Sequence, residues 1–304
     1  MGTWFPESTH EILKKALKEF DKTEEHLKDD INVIKDWLKT QPHLPEISSD
    51  NHITNVLLTN KFSIENTKQK LDMYYTIRHL VPEIFGIAND IQQMQAIADE
   101  VYMFPLPKRT DDGVSIEIVQ IVDQHTEKFD IYRLMAYSTN NSEIRLQEDI
   151  ITTEIVIIDL QNVRLGHVVK VTPVHLKKVI LLIQKVYNKR IKQFHFVNCH
   201  SYCNTSLNIL KQLLKPKLAA RIFVHEDSTH LGKVIPKHIL PVDFGGDEVS
   251  LRELHELWKK KTAEHTNRFL ALSKMKTDES LRPKPLVNDD VLGYHGNFRK
   301  LDMD

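Results

Sequence analysis

Residues 154–160 read Glu154-Ile155-Val156-Ile157-Ile158-Asp159-Leu160, and the four residues after the glutamate are apolar without a break. A strand with one wet face alternates apolar and polar residues, whereas a strand covered on both faces need not. The stretch therefore predicts an interior strand with helices packed on its sheet. Working outward, Asp111-Asp112-Gly113 is a turn signal, and residues 114–122 after it are rich in β-branched side chains, as strands are. Residues 194–198 and 222–225 are two further short strands. Between them, Thr172-Pro173 reads as the N-cap and first turn of a helix carrying Leu176, Val179, Ile180, Ile183 and Tyr187. Strands alternating with helices predict an α/β sheet.

Residues 1–100 read differently, as helices alone. Ser8-Thr9-His10-Glu11 is a capping box, and Ile12, Leu13, Ala16, Leu17 and Phe20 follow it at helical spacing. A second helix fits residues 24–39, with Leu27, Ile31, Ile34 and Leu38 on one face and Pro42 and Pro45 beyond its end. Further helices are expected over 53–58 and 64–85, broken near Lys61-Phe62-Ser63. The chain thus divides into a helical N-terminal module (1–100), a sheet domain (101–260), and a C-terminal helix with a loose tail (261–304). Pro283, Pro285, Gly293 and Gly296 fall in that tail.

Composition narrows the function class. Of 304 residues, 41% are hydrophobic and 27% charged, which suits a chain that folds by itself. The N-terminus has no basic stretch followed by an apolar one, and Pro6 sits where myristoylation wants Ser or Thr, so neither secretion nor that anchor is expected. The longest apolar run, residues 179–183, is far shorter than the ~20 residues that span a bilayer. Membrane contact is therefore expected to be peripheral. With two cysteines only, Cys199 and Cys203, the chain suits a reducing, cytoplasmic compartment. A net charge of −1 gives no basis for nucleic acid binding. His195, Cys199, His200 and Cys203 form the densest set of metal-ligating types, but Phe194-His195-Phe196 alternates as a strand and turns His195 away from the phenylalanines. No second ligand pair has zinc spacing, so no metal and no cofactor are expected. The chain has no Gly-x-Ser-x-Gly elbow, and no arginine follows either cysteine at phosphatase-loop spacing; an enzyme is not expected.

Three stretches, in order, carry a resemblance. They are Phe62-Ser63-Ile64-Glu65-Asn66-Thr67-Lys68 with Tyr74-Tyr75-Thr76-Ile77-Arg78; Ile157-Ile158-Asp159-Leu160-Gln161-Asn162-Val163 running through His167 to Thr172-Pro173; and Leu240-Pro241-Val242-Asp243-Phe244-Gly245-Gly246-Asp247, preceded by Lys215-Pro216 and residues 221–225. Together they resemble the CRAL-TRIO lipid-transfer family, near its tocopherol and retinaldehyde carriers. The third stretch is the most specific. By itself it reads as a structural turn, since adjacent glycines permit positive φ and Pro241 fixes the approach.

The resemblance implies an all-helical N-terminal lobe followed by a sheet flanked by helices, which enclose a hydrophobic pocket under a mobile lid helix. The lid corresponds to residues 204–215, where Leu207, Ile209, Leu210, Leu213 and Leu214 cover more than one helical face. Pocket walls are then expected at Tyr132, Met135, Thr139, Val156, Ile158, Leu182, Ile183, Tyr187, Ile191, Phe194 and Phe196, with Leu207, Leu210 and Leu214 from the lid; Tyr132 and Thr139 would orient a polar group of the ligand. The family's phosphoinositide contacts fall here on Arg190, Lys192, Lys217 and Arg221. Two departures matter: the family's arginine-rich stretch before Phe62 is here Asn55-Val56-Leu57-Leu58-Thr59-Asn60, and the segment after Lys215-Pro216 is shorter than in the tocopherol carriers. The implied function is intracellular binding and transfer, by a monomer transiently on membranes, of a tocopherol, retinoid or related lipid. The alternative is a phosphoinositide-sensing interaction module with a structural lipid.

Overall fold

The computed structural model describes residues 4–5 and 9–283. Six helices open the chain: α1 (Thr9–Glu19), α2 (Glu24–Lys39), α3 (Asp50–Thr59), α4 (Ile64–Leu80), α5 (Pro82–Ala88) and α6 (Ile91–Ala98). Thr23, Ser49 and Ser63 cap α2, α3 and α4, each accepting a backbone N–H three residues on. The Ser8 cap expected for α1 and the tail beyond Pro283, with Pro285, Gly293 and Gly296, lie outside the described residues. Lys61 and Phe62, at φ of 54° and 59°, make the break between α3 and α4. The single helix expected over 64–85 is two, because Pro82 has no N–H to continue the ladder and serves as the first residue of α5.

The sheet follows as β1 (Val101–Pro105), β2 (Ser115–Ile121), α7 (Ile131–Glu148), β3 (Glu154–Asp159), α8 (Leu165–Lys170), α9 (Pro173–Leu181), β4 (Ile191–Val197), α10 (Asn204–Leu213), α11 (Pro216–Ala219), β5 (Ile222–Val224), α12 (Leu251–Glu264) and α13 (Thr266–Ser273). Strand order is β1-β2-β3-β4-β5, with β1 antiparallel to β2 and the rest parallel. β1 was not expected from the sequence; it is an edge strand, which tolerates the terminal Pro105. Helix α12 runs through residue 260, so a division there falls inside a helix.

This order positions the site. The parallel strands β2 to β5 march across the sheet in one direction, and right-handed crossovers then put every connecting helix on the same face. Register aligns Glu117, Val156 and Phe194 in one row and Val119, Ile158 and Phe196 in the next. Residues between them, Ile155, Ile157 and Val197, face the other way into a core with Phe244, Leu254 and Trp258. At the strand ends Asp159 accepts from Gln120 Nε2 (2.6 Å), Asn198 Nδ2 (2.8 Å) and the Gln161 N–H (2.9 Å), tying β2, β3 and β4 together. Both glycines of the third quoted stretch are required: Gly245 has φ of 76°, and a Cβ on Gly246 would lie 1.9 Å from the Leu240 carbonyl oxygen.

The helical module is joined to the sheet domain through Glu143 of α7. Its carboxylate accepts from Arg78 Nη2 (2.5 Å) and Tyr74 Oη (2.7 Å) of α4, and from Tyr187 Oη (3.1 Å). Burial, and then the carboxylate itself, hold the Tyr74 and Tyr187 phenols far above their usual range, so both remain donors. The C-terminal segment also docks here: Arg282 Nη1 donates to the Asp72 carboxylate at 2.8 Å.

Two predictions follow from these buried groups. Glu143→Gln keeps the shape but leaves the buried Arg78 without its counter-ion, which costs about 3 kcal/mol or more; denaturant unfolding measures it, and a loss under about 1 kcal/mol contradicts the joint. The second concerns His52 and His195. Burial lowers both from the ordinary 6.5 to about 4, with His225 and His230 adding to the shift at His195 and Glu143 opposing it at His52. The unfolded chain then takes up protons first, so stability is full above 6.5 and is lost as pH falls towards 4. The melting temperature should fall across that window, and less steeply in His195→Gln; an unchanged slope contradicts a neutral His195.

Candidate functional site: an apolar cavity under one sheet face

Between the helix-covered sheet face and α7 to α10 lies a cavity of about 330 Å³. Its floor is the pair of strand rows, with Ile121 extending them. One wall is the stripe Ile131, Leu134, Met135, Ser138 and Ser142 of α7. Its spacing is helical, so one face of α7 supplies the whole wall. A second wall is α9, which continues into one wider turn over Leu182–Val186, where the Tyr187 N–H reaches back to the Leu182 carbonyl at 2.9 Å. Such turns favour sites where side chains must be re-aimed, and Leu182, Ile183 and Tyr187 all line the cavity. Helix α10 closes the remaining side with Leu207 and Leu210, and Leu214 lies just past its end.

The structure brings twelve of the expected wall residues to this cavity: Met135, Val156, Ile158, Leu182, Ile183, Tyr187, Ile191, Phe194, Phe196, Leu207, Leu210 and Leu214. Tyr132 and Thr139 are corrections. At about 100° per residue the stripe centres on the face of Ile131, Ser138 and Ser142, and Tyr132 and Thr139 stand roughly 80–100° from it. The Tyr132 hydroxyl meets Lys178 Nζ at 3.1 Å, and the Thr139 hydroxyl donates to the Ala136 carbonyl at 2.7 Å. On α10, Ile209 and Leu213 are half-buried beside the cavity-facing stripe, so the helix carries apolar surface beyond what the cavity uses. His195 points to the opposite sheet face, where it meets His225 at 3.0 Å and stacks on Phe223. Among the described residues no group of histidines, cysteines and carboxylates is arranged to hold a metal.

The charged groups and two of the hydroxyls at the β-strand N-terminal end of the cavity are spoken for. Lys189 Nζ pairs with Glu117 at 2.6 Å, the Ser142 hydroxyl donates to the Ser138 carbonyl at 2.9 Å, and the Tyr187 hydroxyl is on Glu143. Charges cancel there. The sequence reading missed Val119, Ile121, Leu134 and His167 among the lining residues. Alternation from Glu117 through Val119 to Ile121 was the available signal for the first two; His167 belongs to the second stretch that carries the resemblance, but nothing in the pattern assigned it to the cavity.

The basic residues are dispersed. Arg190 pairs with Glu19 at 3.0 Å over the Phe20 ring, Lys192 pairs with Asp112 at 3.0 Å, and Arg221 bonds the Ile191 carbonyl. Lys217 is exposed and has no ion-pair partner among the described residues. Asn55, where the resemblance would want arginines nearby, is buried, donating to the Asp149 carbonyl and accepting from the Ile151 N–H. No helix of the described residues is long and apolar enough to cross a membrane.

The chain is similar in sequence to known proteins over most of its length. Residues 99–246 match the CRAL/TRIO domain model, and residues 23–94 match the Pinta-like UBA domain model. The chain is 25% identical over 242 residues to the alpha-tocopherol transfer protein-like protein of Mus musculus, covering 78% of this chain and 70% of the relative. It is 30% identical over 245 residues to Clavesin-1 of Xenopus laevis, covering 78% and 73%. Among solved structures, the crystal structure of Sfh5 aligns with a TM-score of 0.46 at 14% identity, over 81% of this chain and 97% of that one. With the domain match over residues 99–246 and a relative 30% identical over most of both chains, the chain is a member of the CRAL/TRIO domain family.

Proposed function

We propose that the chain binds one small hydrophobic molecule, of tocopherol or retinoid size, and transfers it between membranes inside the cell. The observation that carries this reading is the cavity itself: two registered strand rows, one α7 stripe and the α10 leucines present almost unbroken apolar surface to an interior space. A cavity of this kind suits a molecule that water expels. The relative named alpha-tocopherol transfer protein-like supports the cargo class by its name. Helix α10 is the lid in this reading, because opening it exposes leucines that a bilayer accepts and water does not.

The membrane-facing surface then lies beside α10. Leu165 is 56% exposed, Val169 68% and Val174 40%, the first two on α8 and the third at the start of α9. Lys215 and Lys217 at the lid's far end add exposed cations, each worth ~1 kcal/mol against an anionic leaflet. Phosphoinositide-assisted docking through Arg190, Lys192, Lys217 and Arg221 requires Arg190 and Lys192 to leave Glu19 and Asp112, so Lys217 is the residue of the four most ready to act.

The purified protein should bind a fluorescent tocopherol or retinoid analogue one to one. Ile158→Asp and Phe194→Asp, each placing a carboxylate against the apolar space, should weaken binding by more than about a hundredfold while circular dichroism stays native. Unchanged affinity in both folded variants would remove the cavity from the function.

A further inference from the structure

One residue that lines the cavity has a fully buried polar atom without a partner among the described residues. His167 of α8 is 2% exposed, and its ring packs edge to face with Phe129, another lining residue, at 5.1 Å between centroids. Its Nδ1 accepts the Arg164 backbone N–H at 2.9 Å. An imidazole nitrogen that accepts carries no proton, so the neutral ring bears its hydrogen on Nε2. Nε2 is buried and has no hydrogen-bond partner among the described residues. Leu160, Val163, Val168, Val171 and Cys203 line the same cavity, and Ser206 of α10 adds a hydroxyl to it.

We infer that His167 Nε2–H is the hydrogen-bond donor that anchors the cargo, and that the cargo is accordingly a neutral apolar molecule bearing an acceptor oxygen, as a hydroxyl, carbonyl or ether. This deepens the carrier reading and rests on it. A buried donor left unmet is costly, whereas one met by a ligand oxygen discriminates strongly against an analogue lacking that oxygen. At the opposite end Lys189 is paired with Glu117, and the Ser142 and Tyr187 hydroxyls already donate within the protein, so these groups compete weakly for the same oxygen. Burial, reinforced by Lys170 and Arg164 against Asp123, holds the imidazole below its ordinary 6.5, which keeps it in the neutral, single-donor form. The position of the donor also fixes orientation: the oxygen lies at the end of the cavity formed by the C-terminal ends of β2 and β3, near α8, and the hydrocarbon body extends towards Ile191 and Tyr187.

The test compares all-trans-retinol with axerophthene, the same polyene with hydrogen in place of the hydroxyl, by fluorescence titration. His167→Asn keeps an acceptor where Nδ1 stands and so preserves the Arg164 cap, but removes the Nε2 donor; His167→Gln places an amide N–H near the Nε2 position. Retinol affinity should fall about tenfold in His167→Asn, axerophthene affinity should not change, and His167→Gln should recover part of the loss. Equal losses for both probes would make His167 a purely structural residue and overturn the inference while leaving the carrier reading standing, as would unchanged retinol binding in His167→Asn. If neither probe binds the wild-type chain, the carrier reading falls and the anchor falls with it.

Discussion

The Glu143 carboxylate is the point on which the two parts of the molecule turn. It is fully enclosed, and its three donors come from different places: Arg78 and Tyr74 from α4, and Tyr187 from the wider turn that walls the cavity. A buried carboxylate is tolerable only when paired and hydrogen-bonded on every side. The helical module is therefore more than an appendage. It supplies the cation and one of the phenols that allow α7 to carry a charge beside an apolar cavity, and the same carboxylate fixes Tyr187 in the cavity wall. Arg109, Arg145 and Lys189 do similar work below, neutralising Glu117, Asp149 and Glu154 at the strands' N-terminal ends.

From that joint the cavity follows by topology. Sequential parallel strands with crossovers of one hand place all connecting helices on one face, and the other face is filled by α12 and the segment carrying the double-glycine turn. The two sides of one sheet thus have different fates. Phe194 and Phe196 look into the cavity, while His195 between them joins a stack of rings on the far side. Period-two alternation converts one strand into both a cavity floor and a packed core.

Much of this was legible in the chain. The unbroken apolar run of residues 155–158, the Thr172-Pro173 helix start and the 24–39 helix could be read because each rests on local spacing. The leucines of α10 and the phenylalanines of β4 were placed by the same periodicities together with the family resemblance. What failed was phase and long-range partnership. Tyr132 and Thr139 belong to the right helix, but the α7 stripe begins at Ile131, and a shift of one residue rotates a side chain out of the wall. Pro82 splits a helix whose apolar pattern continues through it. β1 exists because β2 pairs with it, and no short stretch ending in Pro105 announces that. His167 is the sharpest case: its part in the site depends on where Arg164 and Phe129 lie around it, and neither contact is visible as a motif.

The central claim is that cargo leaves the cavity past α10, and that a membrane lowers the cost of that opening. Exposing a leucine to water costs roughly 1.5–3 kcal/mol, and far less against a bilayer. The decisive measurement is the rate of fluorescent ligand transfer from protein to acceptor vesicles as vesicle concentration rises, in the wild type and in a Leu210→Ser, Leu214→Ser variant. The account predicts a wild-type rate that is slow in buffer and climbs with vesicle concentration, and a variant rate that is faster in buffer and climbs less. A wild-type rate independent of vesicles, or a variant as steeply dependent on them as the wild type, would contradict it.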